Sequence, residues 1–304
     1  MAKLTDQQKE KIDKLRSDGY STRAIAKKVL GRTSRKSTVT DYLKNKIEYT
    51  IPKNVKIGML DIETSPSITY FFGKRYDINV SQDQIIAESF MLSYSFKWLD
   101  NENIMCSALT HEEVKEENDY RLCKELFDLM CESNILCAHN GKGFDIPVIN
   151  SRLIYWGFVP PTPYRIVDTL LTARRHFRFP SNKLNDLCIY LGIGVKEETG
   201  GFNLWKEYLN GSDEARDKMM AYNIRDVIIL ERLYLKLRAW DSTHPNMNMY
   251  SENSCCPVCG SEDYESTGKT LSTNVSTFYT YRCEKCGRIF RARKRIPDKE
   301  VLFV

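Results

Sequence analysis

"KIGMLDIETSPSI" occupies residues 56–68. An apolar run, Ile57 to Leu60, ends in Asp61; one apolar residue follows, then Glu63, then a turn. The run predicts a buried strand over 55–62. In a strand, residues i and i+2 point to the same side, so Asp61 and Glu63 stand together on one face. Two carboxylates that close disfavour each other's charge unless something positive lies between them. A divalent cation with oxygen ligands supplies that charge. A solvated strand end with two unrelated acids is the alternative, and the rest of the chain decides between them.

Downstream, the pattern predicts strands at 68–73, 89–98 and 103–109 and a helix over 118–132. "ILCAH" (135–139) reads as a strand and is followed by a helix from Ile146 to about Tyr155. "YRIVD" (164–168) reads as a strand running into a helix over 168–177, with further helices at 182–191 and 212–240. Early strands followed by strands alternating with helices indicate an α/β three-layer domain over 55–240. Two further acids fall in suggestive places. Asp145 opens a helix, where the macrodipole favours an acid in any case. In "MMAYNIRDVIILERLYLKL" (219–237), Tyr222 and Asp226 are four apart and share a helix face. Asp226 could equally be a surface acid paired with Arg225 or Arg232.

Taken together, LDIET, then N-x3-FD, then Y-x3-D resemble the DEDD exonucleases, the DnaQ-like superfamily of the ribonuclease-H fold. The "IVDTLLTARR" segment is also similar to family members. Position 221 is Ala and position 222 is Tyr, so the chain resembles the tyrosine branch, and "NGKGFDIPVI" is close to the proofreading domains of family B polymerases. The resemblance implies catalytic residues Asp61, Glu63, Asp145, Tyr222 and Asp226. The four carboxylates would hold two Mg²⁺ or Mn²⁺ ions. Asp61 would bridge both, Glu63 and Asp226 would hold the ion that activates water, and Asp145 would bind the other. Tyr222 would orient the water. Thr64, Asn140 and Phe144 would meet substrate, and His139 is a possible neighbour. The expected product is a nucleoside 5′-monophosphate released from a 3′ end.

The two ends carry different signals. Residues 1–50 have net charge +7, residues 51–250 net −4 and residues 251–304 net +2. Basic ends suit a polyanionic partner. Thr5 and Gln8 make a capping-box pattern before Ile12 and Leu15. Gly19 can end that helix; Ser21 caps a second with Ala24, Ile25 and Val29 inward; Gly31 closes it, and Ser37 caps a third carrying Val39 and Leu43. "YSTRAIAKKVLGRTSRKSTVTDYL" (20–43) resembles a helix-turn-helix of the resolvase and transposase-linker type, in which Arg35, Lys36, Ser37, Thr38 and Thr40 would begin the element that enters a major groove. Residues 1–45 are thus expected as a small all-α unit and 46–54 as a linker.

Ten cysteines are present. Five are scattered, as buried thiols are. The others cluster: "CCPVCG" (255–260) and "RCEKCGRIF" (282–290) each hold a C-x2-C pair followed by Gly. Residues 251–298 therefore resemble a zinc ribbon, with Cys256, Cys259, Cys283 and Cys286 holding one structural Zn²⁺ and Cys255 spare. Arg291 and Arg293, near Phe290, suit a nucleic-acid backbone.

No run of 18 apolar residues exists and the N-terminus lacks a signal-peptide apolar region. A cytoplasmic protein is expected (host cytoplasm if phage-encoded, as the module order suggests), with no membrane partner and a monomer as default. The leading expectation is a 3′–5′ exonuclease acting on nucleic acid, DNA before RNA. A transposase- or resolvase-type endonuclease, or a DNA-binding regulator with an inactive nuclease fold, are the alternatives.

Overall fold

The computed structural model describes residues 4–17, 22–35, 38–39, 55–70, 80–194 and 201–296. The chain divides into two units, Met1–Thr50 and Ile51–Val304. The predicted linker, 46–54, lies outside the described residues.

In the larger unit the acid-bearing segment forms β1 (Ile57–Thr64), the middle strand of a five-stranded sheet ordered β5-β4-β1-β6-β7. β4 (Met91–Trp98) and β5 (Ile104–Ala108) add to one side, each antiparallel to its neighbour. β6 (Ile135–Ala138) and β7 (Arg165–Asp168) add to the other, both parallel. Parallel pairing requires crossovers, and helices over Tyr120–Glu132 and Asp145–Tyr155 supply them.

Helices cover both faces of the sheet, as the three-layer expectation requires. The period of two along β1 divides its side chains. Leu60 and Ile62 join a core with Leu122 and Leu126 of the 120–132 helix and Ile146 and Ile149 of the 145–155 helix. Ile57 and Met59 join another with Val227, Leu230 and Tyr234 of the long helix Asp213–Leu237. Each such apolar side chain contributes about 1.5–3 kcal/mol on burial. Asp61 and Glu63 continue the Ile57–Met59 side and so fall under the long helix. Gly58 sits on the opposite face, where a Cβ would lie 2.1 Å from the Phe96 ring. The face of β4 beneath the long helix is polar. Ser93 approaches Asn223, and Lys97 Nζ donates to Glu231 at 2.6 Å in a buried ion pair.

Among the described residues, the helices with full bounds are α1 (Asp6–Ser17), α2 (Thr22–Leu30), α3 (His111–Lys115), α4 (Tyr120–Glu132), α5 (Asp145–Tyr155), α6 (Thr169–His176), α7 (Leu184–Leu191), α8 (Asn203–Leu209) and α9 (Asp213–Leu237), and residues 38–39 are also helical. The short α3 and α8 are not legible in the sequence pattern. Of the expected strand at 68–73, the described residues form β2 (Ile68–Thr69), which pairs with β3 (Ile85–Ala87) in a separate two-stranded sheet. Residues 71–73 lie outside the described residues.

In the smaller unit Thr5 and Gln8 exchange the expected capping bonds: the Gln8 side chain accepts from the Thr5 amide at 3.0 Å and Thr5 Oγ1 from the Gln8 amide at 3.3 Å. Ile12, Ile25, Ala26 and Val39 form its core. Ala26, rather than the expected Ala24, is the fully buried alanine. Gly31 ends α2 at φ 72°, a left-handed turn that Gly adopts readily. Gly19, Ser21, Ser37, Thr40 and Leu43 lie outside the described residues.

The cysteine segment folds as β8 (Tyr264–Ser272), β9 (Thr277–Cys283) and β10 (Ile289–Arg291), an antiparallel sheet ordered β10-β9-β8. It belongs to the same unit as the α/β domain. Cys255 is buried in the core that holds Met59 and Tyr234, and an Arg288 guanidinium nitrogen donates to the Ala239 carbonyl at 2.9 Å.

Candidate active site

At the end of β1 the pairing with β4 shifts register between Glu63 and Thr64. Bulges of this kind re-aim side chains beside functional sites. Asp61, Glu63 and Asp226 each present a carboxylate oxygen here, all within 4.8 Å of one another. Asp226 is only 2% exposed. The surface-acid reading that paired it with Arg225 or Arg232 is therefore corrected: α9 packs this part of its surface onto the sheet. Asp61 Oδ2 accepts from Asn223 Nδ2 at 2.5 Å.

Asp145 stands apart from that triad. Its Oδ1 accepts from the Ile62 amide at 3.2 Å, meeting the backbone between the two acids of β1. Burial pushes its carboxyl up to about 7, and the Asp168 charge adds to the rise. Tyr222 is half-buried one helical turn before Asp226, its ring edge-to-face with Trp205 at 6.5 Å.

Asp168, buried at the end of β7, accepts from the amides of Asn140, Lys142, Leu170 and Leu171 at 3.0–3.2 Å. These bonds cap α6 and shape the loop that delivers Asn140 and Asp145. Asn140 holds φ 70°, a conformation Asn tolerates better than most residues. Neither Asp168 nor Asn223 was singled out from sequence. Their signal is weak: a polar residue inside a motif-bearing segment, made functional only by partners distant in the chain. His139 lines the same cleft as Asp61 and Asp226, with one ring nitrogen on Thr169 Oγ1 and the other on the Asn182 carbonyl, both at 2.9 Å.

The remaining candidates are dispersed. Asn140 lines a cleft of about 720 Å³ with Asp61 and Asp226. Thr64 lines a separate hollow with Phe202 and Trp205, and Phe144 is 41% exposed. Arg291 lies over the Phe278 ring at 3.9 Å, and Arg293 is exposed. Phe290 turns the other way, against the cysteines. Thr38 is half-buried, while the Arg35 side chain and Lys36 lie outside the described residues.

The chemistry of the two donor sets is different. Three clustered carboxylates offer hard oxygens, which suit Mg²⁺ or Mn²⁺. The four cysteine sulfurs also lie within 4.8 Å of one another, with Cys256 to Cys286 at 3.6 Å and Cys259 to Cys283 at 3.5 Å. A tetrahedral Zn²⁺ with bonds of about 2.3 Å sets its sulfurs about 3.8 Å apart, so the cluster is compatible with a zinc ribbon. Cys255 is outside it.

The family profile of the RNase_H superfamily matches residues 87–238, half of the chain. The chain belongs to the RNase_H superfamily. Asp145, Tyr222 and Asp226 fall inside the matched span; Asp61 and Glu63 precede it and reach the superfamily domain as its central strand. The chain is similar to a DNA polymerase III PolC-type of Ureaplasma parvum serovar 3, 32% identical over 104 residues, which cover 33% of this chain and 7% of that polymerase. It thus spans a small fraction of that relative's length. The family B DNA polymerase of the hyperthermophilic archaeon Pyrobaculum calidifontis aligns in structure with TM-score 0.46 and 14% identity, over 68% of this chain and 28% of that one.

Proposed function

We propose that this RNase_H superfamily protein is a metal-dependent 3′–5′ exonuclease of the tyrosine branch, releasing nucleoside 5′-monophosphates from nucleic acid. The observation that carries this reading is the convergence of Asp61, Glu63 and Asp226 at the mouth of the central strand, with Asp145 against the same strand and Tyr222 on the helix that brings Asp226. DNA is the favoured substrate, supported by the similarity to a PolC-type DNA polymerase.

Asp61, Glu63, Asp145 and Asp226 would hold two Mg²⁺ or Mn²⁺ ions. When bound, such ions supply Lewis-acid charge to the attacked phosphate and its leaving oxygen. The residues' own tasks follow from their settings. Asn223 fixes the Asp61 carboxylate by donating to Oδ2. Asp145 is held against the Ile62 amide, and Asp168 fixes the loop before it. Tyr222, one turn before Asp226 on the same helix, would orient the attacking water through its hydroxyl. The basic N-terminal helices are read as a DNA-gripping helix-turn-helix through Arg35, Lys36 and Thr38. The cysteine segment is read as a ribbon closed on one Zn²⁺ that offers Arg291 and Arg293 to the backbone. Both would keep substrate near the site.

The test is incubation of 3′- and 5′-labelled single-stranded DNA, duplex DNA and RNA with Mg²⁺ or Mn²⁺, comparing wild type with Asp61→Ala. Stepwise 3′ shortening, lost in the variant and with EDTA, is expected. Internal cuts that still require Asp61 would move the protein to the endonuclease class.

A further inference from the structure

The carboxylate cleft has a second wall of opposite charge. Residues 172–185, "TARRHFRFPSNKLN", contain Arg174, Arg175, Arg178 and Lys183 and no acid, within a stretch, 51–250, that is net acidic. Two of these cations, Arg174 from the last turn of α6 and Lys183 from the start of α7, line the same cleft as Asp61 and Asp226. Both are exposed, and neither makes an ion pair among the described residues. Exposed cations that share a cleft with carboxylates, yet do not close onto them, leave a positive rim over a negative floor. A phosphodiester chain matches that pattern: its backbone answers the rim, and its reacting phosphate answers whatever cations the floor holds.

The rim is rigidly mounted. Asp168 caps α6 at its start. His139 ties the loop to β6 through the Asn182 carbonyl, and Ser181 donates to Asp186 at 2.6 Å. The same segment carries an aromatic row: Phe177 stacks on Phe179 at 4.9 Å, and Phe179, next to the cleft-lining Pro180, meets Tyr190 of α7 edge-on at 5.4 Å. Tyr190 remains 64% exposed. Cations that follow a backbone, next to an aromatic surface on which bases stack, are the combination that binds single strands without sequence preference. A duplex keeps its bases stacked internally and gains nothing from the ring.

We infer that Arg174 and Lys183, with Tyr190 beside them, form the track that holds the phosphate backbone of a single-stranded nucleic acid whose 3′ end lies at the carboxylates. This rests on the exonuclease reading. The experiment uses the full chain in two backgrounds. Arg174→Ala/Lys183→Ala, Tyr190→Ala and the control Arg174→Lys/Lys183→Arg are made in wild type, for cleavage of a labelled 20-nucleotide oligothymidylate. They are also made in Asp61→Asn, for binding of the same probe by anisotropy between 50 and 300 mM salt. The double alanine variant is expected to raise KM about tenfold or more, with kcat changed far less. Its salt slope should fall by about 1.4, since each single-strand phosphate neutralised contributes about 0.7. The Lys/Arg exchange should keep the slope, which separates charge from packing. Tyr190→Ala should weaken single-strand binding about tenfold and leave duplex binding nearly unchanged. An unchanged KM and salt slope in the double alanine variant would overturn the track, as would a loss confined to kcat. If wild type shortens no oligonucleotide, the exonuclease reading fails by itself, and the slope in the Asp61→Asn background still decides whether the rim binds.

Discussion

Two ligand clusters share one unit and are built in opposite ways. The cysteines come from two turns, each fixed by its own backbone: the Gly260 amide donates to the Cys256 carbonyl and the Gly287 amide to that of Cys283, both at 3.0 Å. The carboxylates come from the central strand and from a helix far along the chain, and only the packed core brings them together. The cysteine cluster is closed, with every ligand buried except the half-buried Cys286. The carboxylate cluster opens onto a cleft of about 720 Å³. A site assembled locally and closed on four thiolates suits a structural ion, whereas one assembled over long range and left open leaves room for a reaction.

The sharpest way to break this contrast is Asp61→Ala. Nuclease activity should fall about 10³-fold or more, the loss of several kcal/mol of charge stabilisation, while circular dichroism and melting temperature hold. A variant that unfolds instead would make Asp61 a structural residue. Next in size is Cys259→Ser. It should lose one equivalent of zinc by elemental analysis and several kcal/mol of stability, since structural metal binding is also folding energy. Its kcat at low temperature should stay within a few-fold of wild type. A folded Cys259→Ser protein as inactive as Asp61→Ala would abolish the division of labour.

Tyr222→Phe keeps the ring against Trp205 and removes one hydroxyl. It should lower kcat about 10- to 100-fold with little change in KM, as loss of one positioned donor does; equal activity would remove Tyr222 from the mechanism. The smallest effect is on stability. The folded Asp145 carboxyl titrates at about 7, above the unfolded value of about 4. Between those values the folded protein holds a proton that the unfolded chain has released, so stability falls as pH rises through that window. Without added Mg²⁺ or Mn²⁺, Asp145→Asn should therefore be more stable than wild type at pH 8, by about 1–2 kcal/mol, and show less gain at pH 5, both read from denaturant unfolding. A variant that is less stable at both pH values would mean that the acid is needed for packing.

Much of this organisation is legible in the sequence where the signal is local. The apolar run ending in Asp61-x-Glu63, the helix after Phe144 and the paired C-x2-C turns each encode their own geometry within a few residues. What escapes is non-local. Asn223 matters through a side chain far away in the chain, and Asp168, beyond its local cap on α6, through the amides of Asn140 and Lys142, so little at their positions announces it. The burial of Asp226 also escapes, because α9 is apolar on more than one side. Val227, Leu230 and Tyr234 face one core, while Ile229, Leu233 and Leu237 face another. No single polar stripe marks which acid points inward. The short α3 and α8 carry too few turns for a period to show.

The 25-residue helix α9 is about 37 Å long at 1.5 Å per residue. It carries Tyr222 and Asp226 at one level and, farther on, Tyr234 in the core that also holds Cys255. It is in effect a camshaft, whose two lobes are timed by the number of residues between them. One residue added or lost between Asp226 and Tyr234 would rotate the lower lobe by about 100° against the upper. The stretch between them is constrained in its length as well as in its side chains, since Val227, Ile229, Leu230 and Leu233 are buried and Glu231 pairs with Lys97.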